Sequence, residues 1–247
     1  MSNANSDPPN VTRDLTSISD VMRIVNREIW VVTAAAGNER GGLVATWVSA
    51  ASIDDQAPTV LVGLAPNHYT TQLVEQSGSL TLHLLRESQL DVAWNFALGS
   101  GHDRDKLATL EYLLGVTDAP RLRDCLAWLD CRVFARLATG DRHFYWADVV
   151  AASRVHPGDA LREHQLFASA TPEQRQQLIA NRDADITLQR PAAVSWRELC
   201  RVSVLPTEQA VKIGRPKKVS QKTGRSPRCT LQCQSEMTNR KCLQISI

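Results

Sequence analysis

Asn67, Thr70 and Thr71 stand where the apolar run Thr59–Leu64 gives way to helical spacing. A strand-to-helix junction collects the oxygens of a phosphate or carboxylate, because the first amides of a helix lack partners and its dipole is positive there. The same three residues would serve equally as helix caps. A second source of positive charge is the polar loop Gly99–Lys106, where Arg104 and Lys106 follow Gly99 and Gly101. That loop fits an anion-holding turn or a solvated surface turn. Upstream, Ala45, Thr46, Ser49 and Ala50 are small enough to let a flat ring lie against the backbone. They are also what a strand in a tight barrel requires. The histidines show no ligand spacing, and His68 and His83 read as solvent-facing or satisfied. No Ser-His-Asp or Cys-His order stands out, and the run Gly99-Ser100-Gly101 follows a helix rather than a strand.

Charge and cysteine content narrow the classes. Residues 212–247 hold nine Lys and Arg against the single acid Glu236, whereas the remainder holds 19 basic and 25 acidic groups. A mildly acidic body carries no footprint for nucleic acid, so any such affinity belongs to the tail. The six cysteines read as reduced thiols, with Cys125 and Cys131 as small core residues. Cys229, Cys233 and Cys242 match no standard zinc spacing, and no metal is expected. No stretch has the ~18 apolar residues of a membrane span. The polar start, Met1–Asn10, lacks the basic and apolar regions of a signal peptide, which makes the cytoplasm the default.

The elements that must position these groups are mostly strands. Ser19–Glu28 has one apolar face and a serine cap, predicting a short helix. Ile29–Ala34 and Leu43–Val48, separated by Gly37-Asn38 and Gly41-Gly42, predict a hairpin. A third strand opens at Pro58, a short helix includes Leu73–Glu75, and Leu80–Leu85 alternates as a strand. Gln89–Leu98 has helical spacing, and two long strands, Ala127–Leu137 and His143–Val150, hinge at Gly140-Asp141. Antiparallel strands joined by short turns predict a closed barrel. Beyond Pro157, helices are predicted over Ala160–Phe167 and Pro172–Ala180, the latter capped by Thr171, with a further turn over Asp183–Leu188.

Several elements together resemble the flavin reductase-like, FMN-binding split-barrel family. They are Gly42–Asp54 with Pro58 and Val60–Val62, the turn Pro66–Thr71, Phe96-Ala97 with Arg104–Leu107, and Leu126–Val133 with Gly140-Asp141. The resemblance covers residues 18–155 and implies a mainly β split barrel with short helices. A flexible arm (1–17) precedes it; a helical extension packed on the barrel (156–205) and a disordered basic tail (206–247) follow. It implies FMN as cofactor, bound by Ala45, Thr46, Trp47, Val48, Ser49 and Ala50 along the ring. Asn67, Thr70, Thr71, Arg104 and Lys106 would stand at the phosphate and ribityl chain. It further implies NADH or NADPH as donor, hydride transfer to flavin N5, a homodimer and, in some settings, a partner oxygenase.

The chain departs from the family at one point. Where the family reads Gly-Asp-His, with the histidine near flavin and nicotinamide, this sequence reads Gly140-Asp141-Arg142-His143. Either Arg142 takes the histidine's place, or a bulge restores His143, because one residue of shift turns a side chain to the other face of a strand. The alternative function is therefore a non-catalytic FMN carrier or electron-transfer module. A third reading rests on Gly214-Arg215-Pro216-Lys217-Lys218, which resembles an AT-hook core and would bring DNA to residues 212–228.

Overall fold

A computed structural model describes residues 21, 22 and 24–203. The arm, the tail with its AT-hook resemblance, and Cys229, Cys233 and Cys242 lie outside the described residues. Val21, Met22 and Ile24 are helical, but Asn26 has a φ of 46° and Glu28 already pairs with Arg162, so the predicted first helix ends before Glu28.

β1 (Trp30–Ala36) and β2 (Glu39–Ala45) form the predicted hairpin, with Ala36 opposite Glu39. Gly37 supplies the positive φ, 60°, that a two-residue hairpin turn demands. The second strand ends sooner than its apolar run suggests. It stops at Ala45, and β3 (Val48–Ala50) is a separate strand. After them come β4 (Thr59–Leu64), α1 (Tyr69–Ser77), β5 (Ser79–Leu84) and α2 (Leu90–Ala97). The chain continues through the short β6 (Tyr112–Leu114) and β7 (Pro120–Leu122), then β8 (Ala127–Ala138) and β9 (His143–Arg154).

The main sheet is antiparallel and ordered β2-β1-β5-β8-β9-β4-β3. Its two edges, β2 and β3, are separated in the chain by Thr46 and Trp47 alone. Three Cα steps reach at most about 11 Å, so the sheet must curl until its edges nearly meet. Among the described residues no ladder joins them, and that gap is the split in the barrel. The interior is filled from alternate positions: Val32 and Ala34, Leu43 and Ala45, Val60, Val62 and Leu64, Leu80 and Leu82, Tyr145 and Ala147. Leu73 and Val74 of α1 join this cluster. β1 is buried on both sides, since Val31 enters a second cluster with Phe96, Trp94, Leu107, Leu122 and Leu161. This is why its sequence is a continuous apolar run.

β6 and β7 were not legible as strands. Three residues each carry no period, and their hairpin is held by buried polar groups. Asp130, fully buried, accepts from Thr117 N at 3.1 Å, from Thr81 Oγ1 at 3.3 Å and from the Thr117 hydroxyl. His83, also fully buried, bonds Val31 O through Nδ1 and accepts from Leu122 N through Nε2, at 3.0 Å each. Gly115 packs so close to Asp130 that a Cβ there would lie 2.4 Å from Oδ2.

The last elements are α3 (Glu163–Ala168) and α4 (Pro172–Ser203). α4 begins at the expected Thr171 cap, where Gln174 N donates to Thr171 Oγ1 at 3.2 Å. It is one helix of 32 residues rather than two short segments, and it carries Pro191 inside. Its length was illegible because its inward face is partly polar, with Gln189 buried beside Ala193. The helix backbone lies directly on the β8–β9 turn. A Cβ on Gly140, whose φ is 88°, would come within 2.5 Å of Ala192 O.

Burial first, and the Arg121 cation with it, push the His83 imidazole down to about 4 from the ordinary 6.5, against the opposing hydrogen bond to Val31 O. The folded form therefore binds this proton less readily than the unfolded chain does. The stabilisation is complete above about pH 6.5 and is lost as pH falls toward 4, amounting to roughly 3 kcal/mol. Urea unfolding of His83→Asn should show lower stability at pH 7 and a shallower decline from pH 6.5 to 4 than the parent. An unchanged slope would remove His83 as the source.

Candidate functional site

Asn67 and Thr70, neighbours in sequence, and the distant Lys106 line one cavity of about 580 Å³, a size suited to a small organic ligand. Three segments of the barrel build it: the outer part of β2 (Gly42–Val44), the start of α1, and the end of α2 with the loop Gly99–Gly101. α4 closes the fourth side with Leu178, Asn181 and Asp185. β2 can form a wall because Gly42 has no Cβ, which would otherwise sit 2.5 Å from the Phe96 ring.

Lys106 is the buried cation of this cavity, whose lining also holds Arg182, Asp103 and Asp185. It is only 5% exposed, and its Nζ donates to Phe96 O at 2.9 Å, at the C-terminal end of α2. Among the described residues no carboxylate lies within ion-pair distance of it. Burial first, and the Arg104 cation second, lower its ammonium to about 8. A buried cation without a counter-charge beside an open cavity has the chemistry to hold an anion. Arg104 is placed differently. Its guanidinium donates to Asn95 Oδ1 at 2.8 Å, to Leu98 O at 3.1 Å and to Asn95 O, so it caps α2 and does not line the cavity. It adds positive potential and little else.

Thr71 also turns away from the cavity: its hydroxyl donates to Ala65 O at 2.7 Å and fixes the bend into α1. Asn67 and His68 are half-buried on the cavity rim, where their side chains meet Asp185 and Gln189 of α4. The loop Gly99–Gly101, together with His68 and Tyr69, forms part of the wall, and sequence reasoning had not assigned His68, Tyr69 or the α4 residues to it.

The segment Ala45–Ala50 lies beside this cavity rather than in its lining. Ala45 is in the barrel interior, Thr46 and Val48 are half-buried, and Ser49 and Ala50 are exposed. Trp47 stacks on Phe144 with ring centroids 5.9 Å apart, and the Arg142 guanidinium lies 4.9 Å from the Trp47 ring centroid. Arg142 and His143 point to opposite sides. Arg142 Nη1 donates to Gln189 Oε1 at 2.8 Å, and Gln189 Nε2 donates to Asn67 Oδ1 at 2.7 Å. His143 instead lies 2.9 Å from Glu75 Oε1 on α1, in a cluster with Tyr145 and Arg136. The ladder between β8 and β9 shifts register at Asp130/Cys131 and Val133/Ala135, and runs regularly through His143. Of the two alternatives, this geometry puts Arg142 on the side of Trp47 and Asn67.

Cys125 and Cys131 are buried, and burial raises both thiols to about 12, the range of inert core cysteines. Among the described residues no group of three or more His, Cys, Asp or Glu is placed to hold a metal ion, and no helix is long and apolar enough to cross a membrane.

The family model for the flavin reductase like domain matches residues 22–170. The FMN reductase (NADH) RutF of Stutzerimonas stutzeri is 28% identical over 142 residues, which are 58% of this chain and 80% of that protein. Among solved structures, the NADH:FAD oxidoreductase SgcE6 of Streptomyces globisporus superposes with a TM-score of 0.52 at 23% identity. That match covers 62% of this chain and 89% of the other. The nitrilotriacetate monooxygenase component B homologue from Mycobacterium thermoresistibile gives a TM-score of 0.52 at 20% identity, over 65% and 93% of the two chains. These structures share the split-barrel fold.

Anion binding in the cavity should follow the charge on Lys106. The charged form is lost as pH rises through about 8, so affinity for inorganic pyrophosphate, followed by calorimetry, should fall between pH 7 and 9. Lys106→Arg, which stays charged throughout, should flatten that profile. A parent profile that is already flat would place the anion elsewhere.

Proposed function

Because the chain belongs to the flavin reductase like domain family, we propose that it is an FMN-binding, NAD(P)H-dependent flavin reductase. The observation that carries the cofactor assignment is Lys106: a buried cation with no carboxylate in ion-pair distance among the described residues, sharing a cavity with Asn67 and Thr70, suits a phosphate. The chemistry that a bound flavin supplies is acceptance of hydride at N5 and delivery of the electrons onward, so no acid or base from the protein is obligatory.

What the chain's own residues contribute is position and field. Lys106 and the α1 start hold the phosphate end. Glycines and small residues along β2 and β3, from Gly42 to Ala50, keep the backbone accessible to a planar ring, and Trp47 with Phe144 forms a flat apolar surface beside it. To Arg142, tied to Gln189 and lying over Trp47, we assign the role of meeting the donor nucleotide; its cationic group beside an aromatic surface supports that reading. NADH is the favoured donor, following the relative from Stutzerimonas stutzeri, and a partner oxygenase is consistent with the component B homologue. A homodimer is supported by an exposed apolar patch in which Leu137 of β8, 45% exposed, stands opposite Phe144 of β9, and Trp47 from the β2–β3 link, 42% exposed, stacks on Phe144. The cytoplasm is the expected compartment.

The carrier reading stays in play through the replaced histidine, and turnover decides it. Arg142→Ala should lower NADH-dependent FMN reduction at least tenfold, or roughly 1.4 kcal/mol, whereas His143→Ala should leave it within a factor of about two. The reverse order would assign the role to His143, and a parent without turnover would favour the carrier. Lys106→Met should weaken FMN by about 1.5–3 kcal/mol and leave riboflavin binding unchanged. Equal affinities of parent and variant for FMN would take Lys106 out of the site.

A further inference from the structure

The family match ends at residue 170, and α4 begins at Pro172. The helix is thus an addition to the matching domain, yet it reaches into the proposed cofactor site. Asn67 Nδ2 donates to Asp185 Oδ1 at 2.8 Å, and His68 Nε2 lies 3.1 Å from Asp185 Oδ2. The two carboxylate oxygens thereby span two neighbouring donors at the start of α1, on the rim of the cavity that Lys106 lines. A phosphate reaching the same donors would meet a carboxylate already seated on them, and two anions cannot share one set of donors without a large penalty.

We propose that α4 is a strap whose Asp185 carboxylate holds the place of the flavin's phosphate, so that cofactor and strap compete for Asn67 and His68. The proposal rests on the phosphate placement given above. The way α4 is attached supports it. Leu178 packs in the outer apolar cluster at one end and Ala193 is buried at the other, while the stretch between them touches the site through Asp185 and Gln189. Polar contacts of this kind exchange for ligand or water far more cheaply than interdigitated apolar side chains separate. Pro191 also removes one backbone hydrogen bond within the helix, next to Ala192 and Ala193 where it leans on Gly140. The helix has a natural place to yield.

The test compares FMN and riboflavin binding to the full-length chain by fluorescence quenching. Asp185→Asn retains the size of the side chain and removes its charge. It should bind FMN about tenfold more tightly than the parent, the scale of one charge-assisted contact, with riboflavin affinity unchanged. Hydrogen exchange gives a second readout: FMN should speed amide exchange around residues 183–190 in the parent, as the strap is displaced. FMN affinity that is unchanged or weaker in Asp185→Asn would overturn the proposal, as would equal gains for FMN and riboflavin, or slower exchange of the strap on FMN addition. Failure of the underlying phosphate placement is separately visible, because Lys106→Met would then fail to distinguish FMN from riboflavin. If Lys106→Met behaves as expected and Asp185→Asn is inert, only the strap is lost.

Discussion

The link between β2 and β3 governs the architecture. These strands stand at opposite edges of the sheet, yet only Thr46 and Trp47 connect them. So short a tether leaves the sheet no choice but to curl, and the curl determines which side chains face inward. Val60, Val62 and Leu64 meet Leu80, Leu82, Tyr145 and Ala147 only because the sheet is rolled. The same roll leaves the edge strand β2 uncovered on its outer side. There α1, α2 and the loop after α2 gather around Gly42–Val44 to make the cavity.

Two kinds of packing meet at that cavity. On the barrel side, contacts are apolar and close, and glycines are needed to let them form: Gly42 under Phe96, Gly101 under Tyr69. On the α4 side, the contacts are largely hydrogen bonds through Asp185 and Gln189. Gln189 is buried with both ends of its amide engaged, so it connects Asn67 to Arg142 and joins the cavity to the Trp47 platform. A rigid barrel carrying a polar-docked helix is suited to opening at the helix, because hydrogen bonds to water replace those lost.

Much of this was legible in the residues. The alternation of Val60, Val62 and Leu64 and of Leu80 and Leu82, and the turn at Gly37-Asn38, are local signals, and local signals survive translation into structure. The order of small residues, Asn67 and Lys106 was enough to suggest the family to which the chain belongs. Other features had no local signal. The β6–β7 hairpin depends on Asp130 and His83, which bond to it across long stretches of chain. Arg104 and Lys106, two residues apart in one loop, have opposite fates: one caps α2 and the other enters the cavity. Nothing in their spacing distinguishes them, because the difference arises from where the end of α2 happens to lie.

The sequence by itself determined the class of the fold, its longer strands and the helices at Leu73–Glu75 and Gln89–Leu98, since each follows from residue type and period along a few neighbouring positions. Only the tertiary structure decided which candidates share a cavity, which of Arg142 and His143 faces Trp47 and Asn67, and that α4 lies across the site. Those outcomes depend on contacts between residues distant in the sequence, such as Arg142 with Gln189 and Asn67 with Asp185 and Gln189. Such contacts are set by the closure of the sheet and by a backbone approach at Gly140 that no pattern of side chains encodes.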